Sequence, residues 1–136
     1  MTSLTDIKTE LISNVKFQAT PIVMTDDDYQ IFTIQGVKRL YIDEGIEDNF
    51  ILDYDKIANT IARTLNLTEI EYARISSEIA FRNQIKDDIN AIVGYSTNAI
   101  SITGANSPYK NAEATILLLE NRLAILAFKF THKQQV

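Results

Sequence analysis

The chain has 136 residues, 46 % apolar and 23 % charged, enough for one domain with a buried core and unlike a disordered chain. It has no Cys and a single His, which excludes disulfides, thiol catalysis and zinc–thiolate sites and leaves too few parts for a His-based triad or metal centre. The net charge of −5 is uneven: residues 1–60 hold 11 acids and 5 bases, residues 61–136 hold 7 acids and 8 bases, and an acidic half repels nucleic-acid phosphate.

The opening MTSLTDIKTELI has no basic region followed by an apolar run, so it does not read as a secretory signal. Leu4, Ile7, Leu11 and Val15 fall on one face at helical spacing, predicting a helix over about 3–15. QATPIVM follows, and Pro21 makes it extended or turn-like. Thr25 then reads as a cap, with Asp26, Asp27 and Asp28 in the first turn against the positive end of the helix dipole. Tyr29, Phe32, Gly36 and Leu40 form the stripe of this second helix. Gly36 inside it costs about 1 kcal/mol against Ala, which suggests close approach of a neighbouring helix. Gly45 reads as a left-handed cap.

IEDNFIL reads as a short connector, and Asp53 as the cap of a third helix grouping Tyr54, Ile57, Ala58, Ile61 and Leu65. Asn66 is placed to end it. Thr68 and Glu71 in TEIE form a capping box opening a fourth helix, about 69–93, closed by Gly94. The apolar face of that helix rotates: Tyr72, Ile75 and Ile79 make one stripe, Ile85, Ile89 and Ile92 another. Its two ends should therefore meet different neighbours, or the helix should bend.

GYSTNAISITGANSPYKN, residues 94–111, is a polar excursion. Ala99–Thr103 alternate apolar and polar, a strand signal too short to stand alone. Ser107 then caps and Pro108 occupies the first position of a last helix running to about Thr131. Ala112, Ile116, Leu119, Leu123, Leu126 and Phe130 form a heptad seam on that helix. Leu117, Leu118, Ile125 and Phe128 lie off the seam. A helix apolar on more than one side is either the central helix of the bundle or packs its second face on another subunit. Glu120, Asn121 and Arg122 interrupt its apolar run, far short of the ~20 residues a membrane span needs.

Chemistry-bearing patterns are few. Asp26–Asp28 are the right residue type for a divalent cation, but no second acidic cluster converges on them, and an acidic helix start accounts for them. Gly36, Gly45, Gly94 and Gly104 are isolated, so there is no phosphate-binding or dinucleotide loop. Arg63, Arg74 and Arg82 lack aromatic interleaving and read as solvated or inter-subunit charges rather than a nucleic-acid patch. His132 sits in a polar tail, THKQQV, near a helix C-terminus.

DDDYQIFTIQGVKRLYID, EYARISSEIAFRNQI and VGYSTNAISITGANSPYKNAEATILLLENRL resemble the head–tail connector (adaptor) proteins of long-tailed bacteriophages, over about residues 25–130. The resemblance implies a mostly helical, non-enzymatic virion protein without cofactor or metal. Made in the host cytoplasm, it would form a homo-oligomeric, dodecameric ring in the neck at the head–tail interface. That ring would sit beneath the portal protein, extend the DNA channel and dock the next neck or tail-completion protein. DNA would pass without sequence-specific binding, no membrane is involved, and the acidic half suits a channel wall. It also implies candidate contact residues: Tyr95, Ser96, Thr97, Asn98, Ile100, Ile102, Asn106 and Ser107 in the excursion, and His132, Lys133, Gln134, Gln135 and Val136 in the tail.

The expected fold is all-α: one domain over residues 1–136, a bundle of four to five helices with one extended loop (about 95–107) or short β excursion before the long C-terminal helix, and a short polar tail at 131–136. Two other functional classes compete. One is a small helical cellular adaptor or regulator binding a single protein partner, expected as a fixed dimer with an exposed hydrophobic groove. The other is an enzyme with an acidic metal site, which needs Asp26 and Asp28.

Overall fold

The computed structural model describes the backbone of residues 1–18, 20, 22–95 and 102–135, and the side chains of residues 1–18, 20, 22–89 and 113–129. Within these the chain is all-α, with five helices and a small antiparallel sheet. The elements in order are β1 (Thr2–Ser3), α1 (Leu4–Val15), α2 (Asp26–Asp43), α3 (Asn49–Asp53), β2 (Tyr54–Asp55), β3 (Thr60–Ile61), α4 (Leu67–Tyr95) and α5 (Ile102–Gln135).

The first helix follows its sequence pattern: Leu4, Ile7, Leu11 and Val15 are its buried residues. At the start of α2 the Thr25 hydroxyl accepts from the Asp28 N–H, and the Asp28 carboxylate accepts from the Thr25 N–H at 2.8 Å, a reciprocal capping box. The helix ends on Gly45, at φ +75. The Gly45 N–H donates to the Ile42 carbonyl and the Ile46 N–H to the Tyr41 carbonyl, the two bonds of a Schellman motif.

The expected third helix over 53–65 does not form. Its place is taken by short α3 and a hairpin of β2 and β3, with β3 at the centre of the sheet: Thr60 and Ile61 pair with Ser3 and Thr2 on one side and with Asp55 and Tyr54 on the other. Local polar chemistry turns the chain. Asp55 Oδ1 accepts from the N–H groups of Ile57 and Ala58 at 3.0 and 3.2 Å, and Asn59 takes the left-handed conformation at φ 57. The N-terminal residues complete the arrangement, the Thr2 hydroxyl donating to the Arg63 carbonyl and accepting from the Leu65 N–H.

α4 starts two residues earlier than TEIE suggests. Asn66, expected to end a helix, begins one: its Oδ1 accepts from the Glu69 N–H at 2.9 Å while Glu69 Oε1 accepts from the Asn66 N–H at 3.1 Å. The capping box is therefore Asn66/Glu69 and not Thr68/Glu71.

α4 is the central helix, packed on α1, α2 and α5. Its rotating apolar face meets two distinct cores, as expected. Tyr72, Ile75 and Ile79 join Leu4, Leu40 and Leu123 in one cluster. Phe81, Ile85 and Ile89 join Leu11, Val15 and Phe32 in the other. Gly36 marks the closest approach of α2 to α4: a Cβ there would lie 2.2 Å from Ser77 Oγ, 2.6 Å from the Ser77 N and 2.7 Å from the Ala73 carbonyl oxygen. The close neighbour expected from a mid-helix glycine is α4.

The excursion is shorter than the sequence suggests. α4 continues through Gly94 to Tyr95 and α5 begins at Ile102, so the Ser107–Pro108 start signal lies inside a helix. A long helix extends at little cost per residue once nucleated, and residues 108–131 supply that nucleus. The helix also runs on to Gln135, so the expected tail is mostly helical backbone.

Candidate interaction surface

The most distinctive surface is on α5. Its inner side carries the heptad seam: Leu119 and Leu123 are 5 % and 2 % exposed against α4, with Ile116 and Leu126 partly buried beside them. The opposite side carries Leu117, Leu118, Ile125 and Phe128, which are 63, 65, 60 and 59 % exposed. The sequence left two explanations for a helix apolar on two sides. Since α4 holds the centre of the bundle and α5 lies outside it, the second apolar face points away from the fold. Hydrophobic residues scattered singly on a surface are ordinary; four within three turns of one helix form a contiguous patch of the sort that marks an interaction site.

A bidentate pair fixes the orientation of α5. Arg39 on α2 donates to both carboxylate oxygens of Glu120, at 2.9 and 2.6 Å. These bonds hold the Glu120 carboxyl below the usual carboxylate range, and the carboxylate in turn raises the Arg39 guanidinium. Nearby at the end of α2, burial pushes the Asp43 carboxyl up, and the Tyr72 hydroxyl donates to it.

The arginines are not solvated or inter-subunit charges, as the sequence suggested. Arg63 donates to Glu44 and Glu69, both at 2.9 Å, and stacks over the Tyr41 ring. Burial raises the Glu44 carboxyl, with Arg63 opposing that shift. Arg74 bridges Glu71 and Glu78, and Arg82 donates to Glu78 at 3.0 Å and to the Gln18 side chain at 3.2 Å. The hydrogen bonds from Arg74 hold Glu71 below its usual range. Arg63 and Arg82 thus tie separate parts of one chain together, while Arg74 bridges neighbouring turns of α4. Sequence spacing alone hid this, because the partners of Arg63 come from the end of α2 and the start of α4.

Two of the three acids at the start of α2 are equally committed. Asp28 closes the capping box and Asp26 accepts from Lys8 at 3.0 Å. Among the described residues, no three His, Asp or Glu side chains converge on a metal-sized site. No described helix is long and apolar enough to cross a membrane.

A second surface feature is a cleft of about 600 Å³ between α2 and α4, roofed by the segment before α2. Its walls include Ile22, Val23, Ile31, Gln35, Asn83 and Asp87, and Phe32, which packs edge-on against Phe81, also lines it. Little in the residue pattern announces it, since Ile22 and Val23 sit in a stretch without periodicity.

The contact residues implied by the resemblance are brought together only in part. Tyr95 ends α4, and Ile102, Asn106 and Ser107 lie in the first turns of α5 and not in a loop. His132, Lys133, Gln134 and Gln135 belong to the last turns of the same helix and not to an extended tail. Ser96, Thr97, Asn98, Ile100 and Val136 lie outside the described residues, as does most of the expected Ala99–Thr103 strand, whose last two residues are helical. Comparison of the chain with protein-family models, with curated proteins and with solved structures finds no match in any of the three.

Proposed function

We propose that this chain is a structural, non-enzymatic virion protein: a head–tail connector subunit that assembles into a ring beneath the phage portal, extends the DNA channel and docks the next neck or tail component. The observation that carries the reading is the exposed apolar face of α5, set opposite the face that holds the fold together. A subunit of a closed assembly needs surface of this kind, and no catalytic constellation among the described residues competes for another explanation. The motif order that resembles the adaptor family and the acidic balance of residues 1–60 support the same reading.

In this proposal the ring is made in the host cytoplasm and incorporated at the head–tail interface. Its symmetry is that of the portal collar, and DNA slides past an acidic wall without being gripped. The test is to mix purified chain with the portal protein encoded beside it, then weigh and image the product. The reading expects rings seated on the portal, even if the chain alone is monomeric. A chain that neither binds portal nor forms a ring overturns it.

The α2–α4 cleft favours a second reading, a small helical cellular adaptor or regulator that takes one partner segment in a groove of mixed polar and apolar lining. That reading expects a fixed dimer indifferent to portal and a gene neighbourhood without portal and capsid genes.

A further inference from the structure

We infer that the outer side of α5 docks along the α2–α4 cleft of a second copy of this chain, with α5 of one copy parallel to α2 of the next. The inference deepens the ring-forming reading and rests on it for closure of successive contacts into a ring; the contact itself is argued from the two surfaces.

The two surfaces lie on opposite flanks of one subunit. Glu120, bonded to Arg39, marks the side of α5 that faces α2. Leu118, Arg122, Ile125 and Lys129 follow at intervals of 4, 3 and 4, and each stands about 140–180° round the helix from Glu120 at about 100° per residue. All four are exposed. Arg122 lowers the Glu71 carboxyl from a distance, but among the described residues neither it nor Lys129 forms an ion pair. The cleft lies on the other flank, with Arg39 at one end of it. A strip on one flank seated in a cleft on the other is a heterologous contact. Each copy offers both halves, so the contact repeats from subunit to subunit, as a ring requires.

Topology gives the direction. Phe32 packs on Phe81 and Gly36 on Ser77, so α2 and α4 run antiparallel. Only six residues of chain separate α4 from α5, which packs along it, so these two also run antiparallel. Within one copy α2 and α5 are therefore parallel, and the small rotation between neighbours of a many-membered ring keeps them nearly so from copy to copy.

In that direction the two surfaces match. The α2 wall of the cleft carries Asp28, Ile31 and Gln35, at intervals of 3 and 4. Arg122 set level with Asp28 brings Ile125 level with Ile31 and Lys129 level with Gln35, while Leu118 reaches toward the exposed Ile22 and Val23 that precede α2. The end of the cleft that receives Arg122 is acidic, because antiparallel packing places Asp87 and Asp88 of α4 beside the N-terminal end of α2. Asp28 accepts from Thr25 through Oδ2 and keeps Oδ1 open, and Asp88 accepts from Gln84. Asp87 is exposed and makes no hydrogen bond or ion pair among the described residues. The opposite end carries Arg39, already paired with Glu120. A basic strip thus meets an acidic, half-apolar cleft.

The absence of cysteine makes the test clean. Ile125→Cys and Ile31→Cys are prepared separately, mixed under the conditions in which wild type assembles, with or without portal, and treated with a short bismaleimide. Asn14→Cys, on the exposed side of α1, mixed with each sets the background of random collision. The mixture should yield crosslinked pairs several-fold above that background, each variant alone should stay near it, and a chain carrying both cysteines should give a ladder beyond two copies. Charge exchange checks the same contact without cysteine: Asp87→Arg and Arg122→Glu should each reduce assembly several-fold, and the two together in one chain should restore it. Self-linking of Ile125→Cys as strong as in the mixture shows a same-face pair and overturns the inference, as does a ladder that stops at two. Assembly of wild type with no linking in the mixture and no rescue by charge exchange places the contact elsewhere, for instance on the exposed Ile51–Leu52 patch of α3, and also overturns it while leaving the ring-forming reading intact. A wild type that stays monomeric throughout, portal present or not, overturns both.

Discussion

Gly36 is where the close packing of α2 on α4 is decided by one hydrogen atom. A methyl group there would meet the Ser77 backbone and the Ala73 carbonyl, neither of which can swing aside. Gly36→Ala gains about 1 kcal/mol of helix propensity, yet should still lower unfolding stability by about 1–3 kcal/mol in urea titration, because the helices must separate. A neutral result would show that α2 and α4 are further apart. Asn66 is a second such position. Asn66→Ala should cost about 1 kcal/mol, whereas Thr68→Ala should stay within about 0.5 kcal/mol, which distinguishes the two possible capping boxes in the same assay. Glu120 gives a pH signature. Its folded carboxyl is held below its unfolded value by Arg39, so its contribution is full above about pH 5 and is lost as pH falls through the lowered value. Both partners are more than a third exposed, so Glu120→Gln should cost only about 0.5–1 kcal/mol at pH 7, and the gap to wild type should narrow as acidification protonates the Glu120 carboxyl. A gap that persists in acid would assign the loss to packing instead. Asp43 and Glu44 have the opposite sign: burial raises them, so they oppose folding while ionised and that cost fades on acidification. The comparison must therefore be made variant against wild type at each pH.

At the scale of elements, α5 divides its labour between two faces. Leu123→Ala should cost about 2–5 kcal/mol, because Leu123 is fully enclosed by α4 and its neighbours. Leu118→Ala should change monomer unfolding by less than about 0.5 kcal/mol, since most of its surface is exposed. Equal losses at both would mean that α5 is buried on both sides. The elements also differ in how far residues announce them. α1 and the start of α2 were legible, because their signals are local: one apolar face, one cap three residues from its partner. The two-core nature of α4 was legible from the rotation of its stripe. The β2–β3 hairpin was not. Tyr54, Ile57, Ala58 and Ile61 have helical spacing, but Ile57 is wholly exposed and one of the two strand partners of Ile61 is Thr2, about sixty residues earlier. Asp55 and Asn59, both turn formers, carried the only local warning. The start of α5 was misplaced for a related reason: Ser107–Pro108 is a good start signal, but a signal for where a helix can begin does not forbid an earlier beginning.

At the scale of the molecule, the fold is a bundle around α4 with α5 laid along one side, so that the apolar run of α5 is only half used by the fold. The outer face was visible in the sequence as surplus apolar residues on the last helix. Its regular spacing and its basic strip became meaningful only once the inner seam was known to be spent on α4. The loop and tail residues suggested by the resemblance carry less of the account, since most of them lie in the helical ends of α4 and α5. The central claim is that the inner face of α5 holds the fold and the outer face holds the assembly. The most direct measurement is sedimentation velocity of the double variant Leu118→Glu, Ile125→Glu beside wild type, each with portal. The account predicts that the variant keeps its helical circular dichroism and its melting temperature but sediments as a monomer, while wild type sediments as a ring on the portal. A variant that still assembles, or one that unfolds, would contradict it.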